Sequence, residues 1–241
     1  MNTFKTNPSS IKFDNEFLLK LEDCSIYQSN RLILQNVNLK IRKGELVYLV
    51  GKTGSGKTSL FKTLYADKKL KKGRGEIVGH NLLKINEKDI PKIRRKIGVI
   101  FQDFQLLQDR TINENMLFVM QATGWRNKKK METRINEVLD AVQMSTKGYK
   151  MPYELSGGEQ QRAAIARSLI NKPSLILADE PTGNLDPNTS ESIMNLLLKI
   201  SLEGTSILMI SHDKYLIDRF PSRTLYCYNS TIHNEPEKLN Y

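Results

Sequence analysis

Four short runs made almost wholly of apolar residues punctuate the chain: 46–50 (Leu-Val-Tyr-Leu-Val), 97–101 (Ile-Gly-Val-Ile-Phe), 174–178 (Ser-Leu-Ile-Leu-Ala) and 206–210 (Ser-Ile-Leu-Met-Ile). Runs of that length without alternation read as buried strands. Ahead of the first, Glu16 to Tyr27 and Leu32 to Ile41 alternate apolar and polar residues, the pattern of half-buried antiparallel strands. The segments after the runs have helical spacing. One helix is expected from the first run to about Ala66 and a short one over Pro91–Lys96, with Asp89 as its N-cap. Others are expected over 128–143, from Ser156 to about Ile170, and from Asp186-Pro187 to about Leu202. Ile112, Met116, Leu117 and Met120 share one face of a helix opened by the capping box Thr111-Ile112-Asn113-Glu114. The basic segment 67–75 reads as a loop before a short strand at Glu76–Val78, and 223–228 is strand-like. Residues 1–15 are polar and are expected to be loosely attached. The pattern predicts one α/β domain over 1–241 with a mostly parallel core sheet. An antiparallel β-subdomain shares 16–102 and 153–230 with that core, and a helical subdomain is inserted at about 103–152.

Chemistry gathers where the apolar runs end. The first leads into Gly51-Lys52-Thr53-Gly54-Ser55-Gly56-Lys57-Thr58, then Ser59, which is the spacing G-x-x-x-x-G-K-[ST] between a strand and a helix. Glycines let successive backbone N–H groups converge on an anion at a helix N-terminus. Lys57 is placed to reach the β/γ-phosphates of a nucleotide and the Thr58 hydroxyl to ligate Mg²⁺. Gln102 follows the second run at a carboxyl end, where ligands of open α/β sheets bind. It is a candidate for Mg²⁺ or the attacking water. The third run ends in Asp179-Glu180: one carboxylate suits Mg²⁺ and the other suits activation of a water. His212 follows the fourth run, in reach of a γ-phosphate. Ser156 and Glu159 form a capping box with Gly157 and Gly158 between them, so the N–H groups of 156–158 make a second anion site. Tyr27, 24 residues before Gly51, offers a ring for a purine.

Composition narrows the class. The 241 residues carry 37 Lys and Arg against 26 Asp and Glu, a net charge of +11, in clusters at 68–74, 92–96 and 126–130. That excess suits nucleic acid, an anionic leaflet, or a solvated surface. Cys24 and Cys227 are far apart and read as reduced thiols. No run reaches the ~20 apolar residues of a bilayer span, and Met1 to Ser10 lacks the apolar stretch of an export signal.

Taken together these residues resemble the ATP-binding-cassette ATPases. Gly51–Thr58 is similar to their Walker A loop, Gln102 to the Q-loop, and Leu155–Gln160 (LSGGEQ) to the signature motif. Leu175–Glu180 is similar to Walker B with its catalytic glutamate, Leu185-Asp186 to the D-loop, His212 to the switch histidine and Tyr27 to the aromatic A-loop. The resemblance runs from about 17 to 228. It implies ATP and Mg²⁺ as ligands, with Thr58, Gln102 and Asp179 at the metal and Glu180, His212 and Gln102 catalytic. It implies a head-to-tail homodimer in which Ser156, Gly157, Gly158, Glu159 and Asp186 of one copy complete the ATP site of the other. The run 178–186 (ADEPTGNLD) resembles the subgroup of cell-division, lipoprotein-release and macrolide-export cassettes. The run 101–107 (FQDFQLL) with 109–115 (DRTINEN) is most similar to the FtsE type. That type implies a membrane partner of the FtsX kind docked near 103–121, a peripheral position on the cytoplasmic face of the cell membrane, control of cell-wall hydrolysis, and no direct nucleic-acid contact. Three alternatives stand beside it. One is a lipoprotein-release or export ATPase, and another is a soluble nucleic-acid-associated cassette. The third, a GTPase, is disfavoured because Asn171-Lys172-Pro173-Ser174 lacks the Asp of a guanine-reading motif.

Overall fold

The computed structural model describes residues 16–237, so the expectation for 1–15 lies outside the described residues. Strands β1 (Phe17–Gln28), β2 (Arg31–Arg42), β4 (Lys72–Ile77) and β5 (His80–Asn81) form one sheet in the order β2-β1-β4-β5, with every pairing antiparallel. Strands β3 (Leu46–Val50), β6 (Ile97–Ile100), β7 (Leu175–Asp179), β8 (Ser206–Ile210), β9 (Arg223–Tyr228) and β10 (Thr231–His233) form the second, ordered β10-β9-β3-β8-β7-β6. Its pairings are parallel except β10 with β9. The helices are α1 (Lys57–Leu64), α2 (Ile90–Lys96), α3 (Ile112–Ala122), α4 (Lys128–Ala141), α5 (Gly157–Leu169), α6 (Pro187–Leu202) and α7 (Lys214–Arg219).

Why the four runs lack alternation is plain from the packing. Leu46 and Tyr48, Ile176 and Ala178, and Ile207 and Met209 face a cluster that holds α3 to α6. Val47 and Leu49, Leu175 and Leu177, and Leu208 and Ile210 face another, shared with α1 and the antiparallel sheet. Both faces of the parallel sheet are covered, as crossover helices require. Each fully buried Leu or Ile contributes roughly 1.5–3 kcal/mol. The parallel order sends the carboxyl ends of β3, β6, β7 and β8 to one edge. From the segment expected as a helical insertion, Ile112, Met116, Ile135 and Val138 share the first cluster with α5 and with β3, β7 and β8.

Several expectations need correction. The loop expected over 67–75 is strand from Lys72, because Glu22 and Ser25 of β1 pair with Arg74 and Lys72. Gly73 makes that approach possible: its φ is +99°, and a Cβ there would lie 2.5 Å from the Cα of Cys24. Helix α1 stops at Leu64, and Ala66 turns left-handed (φ +58°). Helix α4 ends at Ala141, ahead of left-handed Gln143 (φ +61°). Asp89 occupies the N-cap position of α2, but its side chain makes no capping hydrogen bond. Its own backbone is helical (φ −91°, ψ −23°), and its carboxylate accepts from Lys92 at 3.1 Å. Strands β5 and β10 and helix α7 are too short to leave a periodic signal.

Gly73→Val is expected to lower stability by about 2 kcal/mol or more, because it combines a left-handed β-branched residue with a backbone clash. Urea unfolding monitored by circular dichroism gives the difference.

Candidate nucleotide site

The glycine-rich loop fills the gap between the carboxyl end of β3 and α1. Gly56 is the left-handed N-cap of α1 (φ +110°), and a Cβ there would meet Ile33 at 2.8 Å. At Gly51 a Cβ would lie 2.4 Å from the Cys227 carbonyl oxygen. The loop is therefore clamped between β2 and β9 with no space for side chains at those two points. Lys57 is buried, and its Nζ donates to the carbonyl oxygens of Gly51 (2.6 Å) and Lys52 (2.9 Å). The ammonium thus closes the loop on itself and stands beneath it. Thr58 is exposed, Ser59 buried, and the buried Ser55 Oγ has no hydrogen-bond partner. Thr53 and Gly54 are exposed at the tip. Tyr27 pairs with Leu32 at the end of β1, next to the Ile33 that touches Gly56. Lys71 Nζ lies 5.2 Å from the centroid of the Tyr27 ring.

At the end of β7 the chain bends sharply. Glu180 has φ +47°, unusual for a residue with a side chain, and its N–H donates to the Ile210 carbonyl at 3.0 Å. The bend parts the two carboxylates. Asp179 receives the Thr58 hydroxyl, while Glu180 Oε1 lies 3.1 Å from His212 Nδ1. Burial, then the charge of Glu180, pushes the Asp179 carboxyl above its usual range, against the opposing pull of Lys57 and Thr58. Gln102 reaches the same place from β6. Its carbonyl accepts from Asn184 Nδ2 at 3.1 Å, and its Nε2 lies beside Gly183, whose N–H donates to the Glu180 carbonyl at 3.1 Å. An open cleft of about 820 Å³ joins Thr58, Gln102 and Asp179. The donor set fits a hard divalent cation and a triphosphate: carboxylate and hydroxyl oxygens beside a buried ammonium, under a backbone cradle that side chains would fill.

The signature residues stand apart. Ser156 caps α5, accepting from the Glu159 N–H at 3.3 Å, while the Glu159 carboxylate accepts the Ser156 N–H at 2.9 Å and pairs with Lys147. The expected set of three free N–H groups is thereby corrected: Ser156 has its own partner, leaving Gly157 and Gly158. Those glycines abut the start of α6, Gly157 near Leu185 and Gly158 near Thr189, whose N–H is capped by Asp186 at 3.0 Å. Among the described residues no hydrogen bond joins 156–160 to 51–58.

Two supporting residues escaped sequence reasoning. Asn184 lies inside the quoted 178–186 run, yet its bond to Gln102 spans 82 positions. Arg167 of α5 donates to the carbonyl oxygens of Phe104 (2.8 Å) and Gln105, both left-handed at φ +59° and +48°. It pins the turn after Gln102 from 62 to 63 positions away. Neither residue type carries a local signal for such a contact.

The raised Asp179 pKa has a consequence for stability. The folded state holds that proton more tightly than the unfolded chain, so this group's contribution is lost as pH rises through the folded pKa. Asp179→Asn is expected to unfold at a higher temperature than the parent at pH 8 without Mg²⁺, and the gain should shrink as pH falls toward the ordinary carboxylate range. Calorimetry over that pH series is the check; an equal or lower melting temperature at pH 8 contradicts it.

Comparison with known proteins follows the same lines. A family model described as ABC transporter matches residues 34–183. The chain is 42% identical over 215 residues to the cell division ATP-binding protein FtsE of Streptococcus pneumoniae, covering 89% of this chain and 93% of that one. It is 40% identical to FtsE of Bacillus subtilis, covering 89% and 94%. Among solved structures, the dimeric ATP-binding cassette MJ0796 in a post-hydrolysis state with ADP and Pi superposes with a TM-score of 0.77 at 33% identity, over 92% of this chain and 100% of that one. The chain belongs to the ABC transporter family, as an ATP-binding cassette of the FtsE-like ATPases.

Proposed function

We propose that this ATPase works as a homodimer beneath a membrane protein of the FtsX kind, coupling ATP hydrolysis to cell-wall cleavage during division. The observation that carries the hydrolytic part is the meeting of Glu180, His212 and Gln102 beside Asp179 and Thr58. ATP lies with its base on Tyr27 and its phosphates along 51–59, where Gly51, Lys52, Thr53, Gly54, Ser55 and Gly56 offer backbone and Lys57, Thr58 and Ser59 side chains. Thr58, Asp179 and Gln102 would hold Mg²⁺, which would supply neutralisation of phosphate charge. Lys57 exchanges loop carbonyls for phosphate oxygens. Glu180 takes a proton from the attacking water, held in orientation by His212 and by its own left-handed turn.

A second copy supplies the N–H groups of Gly157 and Gly158 and the Ser156 hydroxyl, with Asp186 alongside. Glu159 holds the cap that orients them. The partner docks at 103–121, where Phe101, Gln105, Leu107, Val119 and half-exposed Phe118 line a groove against the edge strand β6. No helix among the described residues is long and apolar enough to cross a membrane, and the location proposed is peripheral, on the cytoplasmic face. The FtsE relatives, matched over nearly their full length, support cell division above release or export.

Glu180→Gln is expected to lower steady turnover at least ~100-fold, the range of a lost general base, while ATP still binds. Captured with ATP from detergent-solubilised membranes, it should bring down a small membrane protein with few spans and a large extracytoplasmic domain. A many-span permease, or nucleic acid alone, contradicts the division reading.

A further inference from the structure

The positive charge is not spread evenly. Arg94, Arg95, Arg126, Lys128, Lys129 and Lys130 are all exposed, and among the described residues none is ion-paired with a carboxylate. They lie on neighbouring elements: a Cβ at Gly124, in the turn between α3 and α4, would meet Arg95 Nη2 at 3.0 Å. Arg94 also lines the groove that holds Phe118 and Thr123. Arg94 thus borders the groove proposed for the membrane partner, and Arg126 and Lys128 line a cleft between α3 and α4 with Leu117 and Gln121.

Helix electrostatics separates the two halves of this patch. Arg94 and Arg95 occupy the last turn of α2, where the helix dipole favours cations. Lys128, Lys129 and Lys130 fill the first turn of α4, which contains no acidic residue, so each opposes the positive end of its own helix. Glu132, four residues after Lys128 and exposed, makes no ion pair with it. Three adjacent exposed cations thus stand against the dipole with no acidic residue in their own turn, which an anionic surface would relieve.

We infer that this face rests on the anionic headgroups of the membrane leaflet, with the α4 lysines as its anchor. The inference rests on the reading that the groove meets a membrane partner, which sets the patch against lipid rather than nucleic acid. Each cation near an anionic leaflet strengthens partitioning about fivefold, so three together give roughly a hundredfold.

The test is co-sedimentation of the full chain with vesicles of phosphatidylcholine alone or with added phosphatidylglycerol. The expected result is binding to the anionic vesicles only, weakened by salt and reduced at least roughly a hundredfold in K128E/K129E/K130E. Because glutamates suit a first turn, that variant should melt at the same temperature as the parent or higher, which separates lost contact from misfolding. Equal binding by the variant, equal binding to neutral vesicles, or no binding overturns the inference. So does tighter binding to a single-stranded oligonucleotide at matched salt. Capture of the membrane partner by the wild-type chain is measured in parallel. Its failure removes the partner reading, whereas its success without lipid binding removes only the inference.

Discussion

The structure depends on the way a tight backbone curl is held between the two sheets. Between β3 and α1 the loop is clamped by Ile33 on one side and the Cys227 carbonyl on the other, and Lys57 ties its carbonyl oxygens from below. That clamp needs β3 to sit between β8 and β9 and needs β2 to fold over the loop, so both sheets are committed to one short segment. Removing water from the Lys57 ammonium is tolerable because two carbonyl oxygens replace it. The same group is then already desolvated at the loop where the proposed function sets the phosphates.

A second constraint is the bend after Asp179. Adjacent residues on a regular strand point to opposite faces, and two carboxylates at one strand end would repel. The left-handed turn at Glu180, anchored to β8 through Ile210, sends one carboxylate to Thr58 and the other to His212. Strain of order 1–3 kcal/mol at such a residue persists only where the surroundings over-determine it. Here two parallel strands do so. Gln102 joins from the neighbouring strand, held by Asn184 at one end and, through the turn at 104–105, by Arg167 at the other. Because Arg167 belongs to α5, the helix that Ser156 caps, the groove, the turn and the signature residues form one connected set of contacts.

Much of this was legible in the chain because its signals are local. Strand, glycine loop and helix are contiguous over 46–64, and both capping boxes, at Thr111 and Ser156, are four-residue patterns that formed as expected. The apolar runs named the central strands because both faces of the sheet are buried. What stayed hidden depends on partners distant in sequence. Strand β4 begins at Lys72, inside a basic and glycine-rich stretch, only because β1 pairs with it. Asp89 looked like a cap, yet Lys92 draws its carboxylate away. The hydrogen bonds of Arg167 and Asn184 each span more than sixty residues, and a single chain cannot announce them.

The central claim is that the nucleotide site is completed by a second copy of the chain, since Gly157 and Gly158 abut Leu185 and Thr189 and, among the described residues, share no hydrogen bond with the loop at 51–58. Sedimentation velocity of the Glu180→Gln protein, with ATP and Mg²⁺, with ADP, and with Ser156→Arg added, addresses it most directly. The account predicts a dimer in ATP alone, and monomers in ADP and in the Ser156→Arg protein despite undiminished ATP binding. A chain that stays monomeric in ATP, or dimerises equally with Arg at position 156, would contradict it.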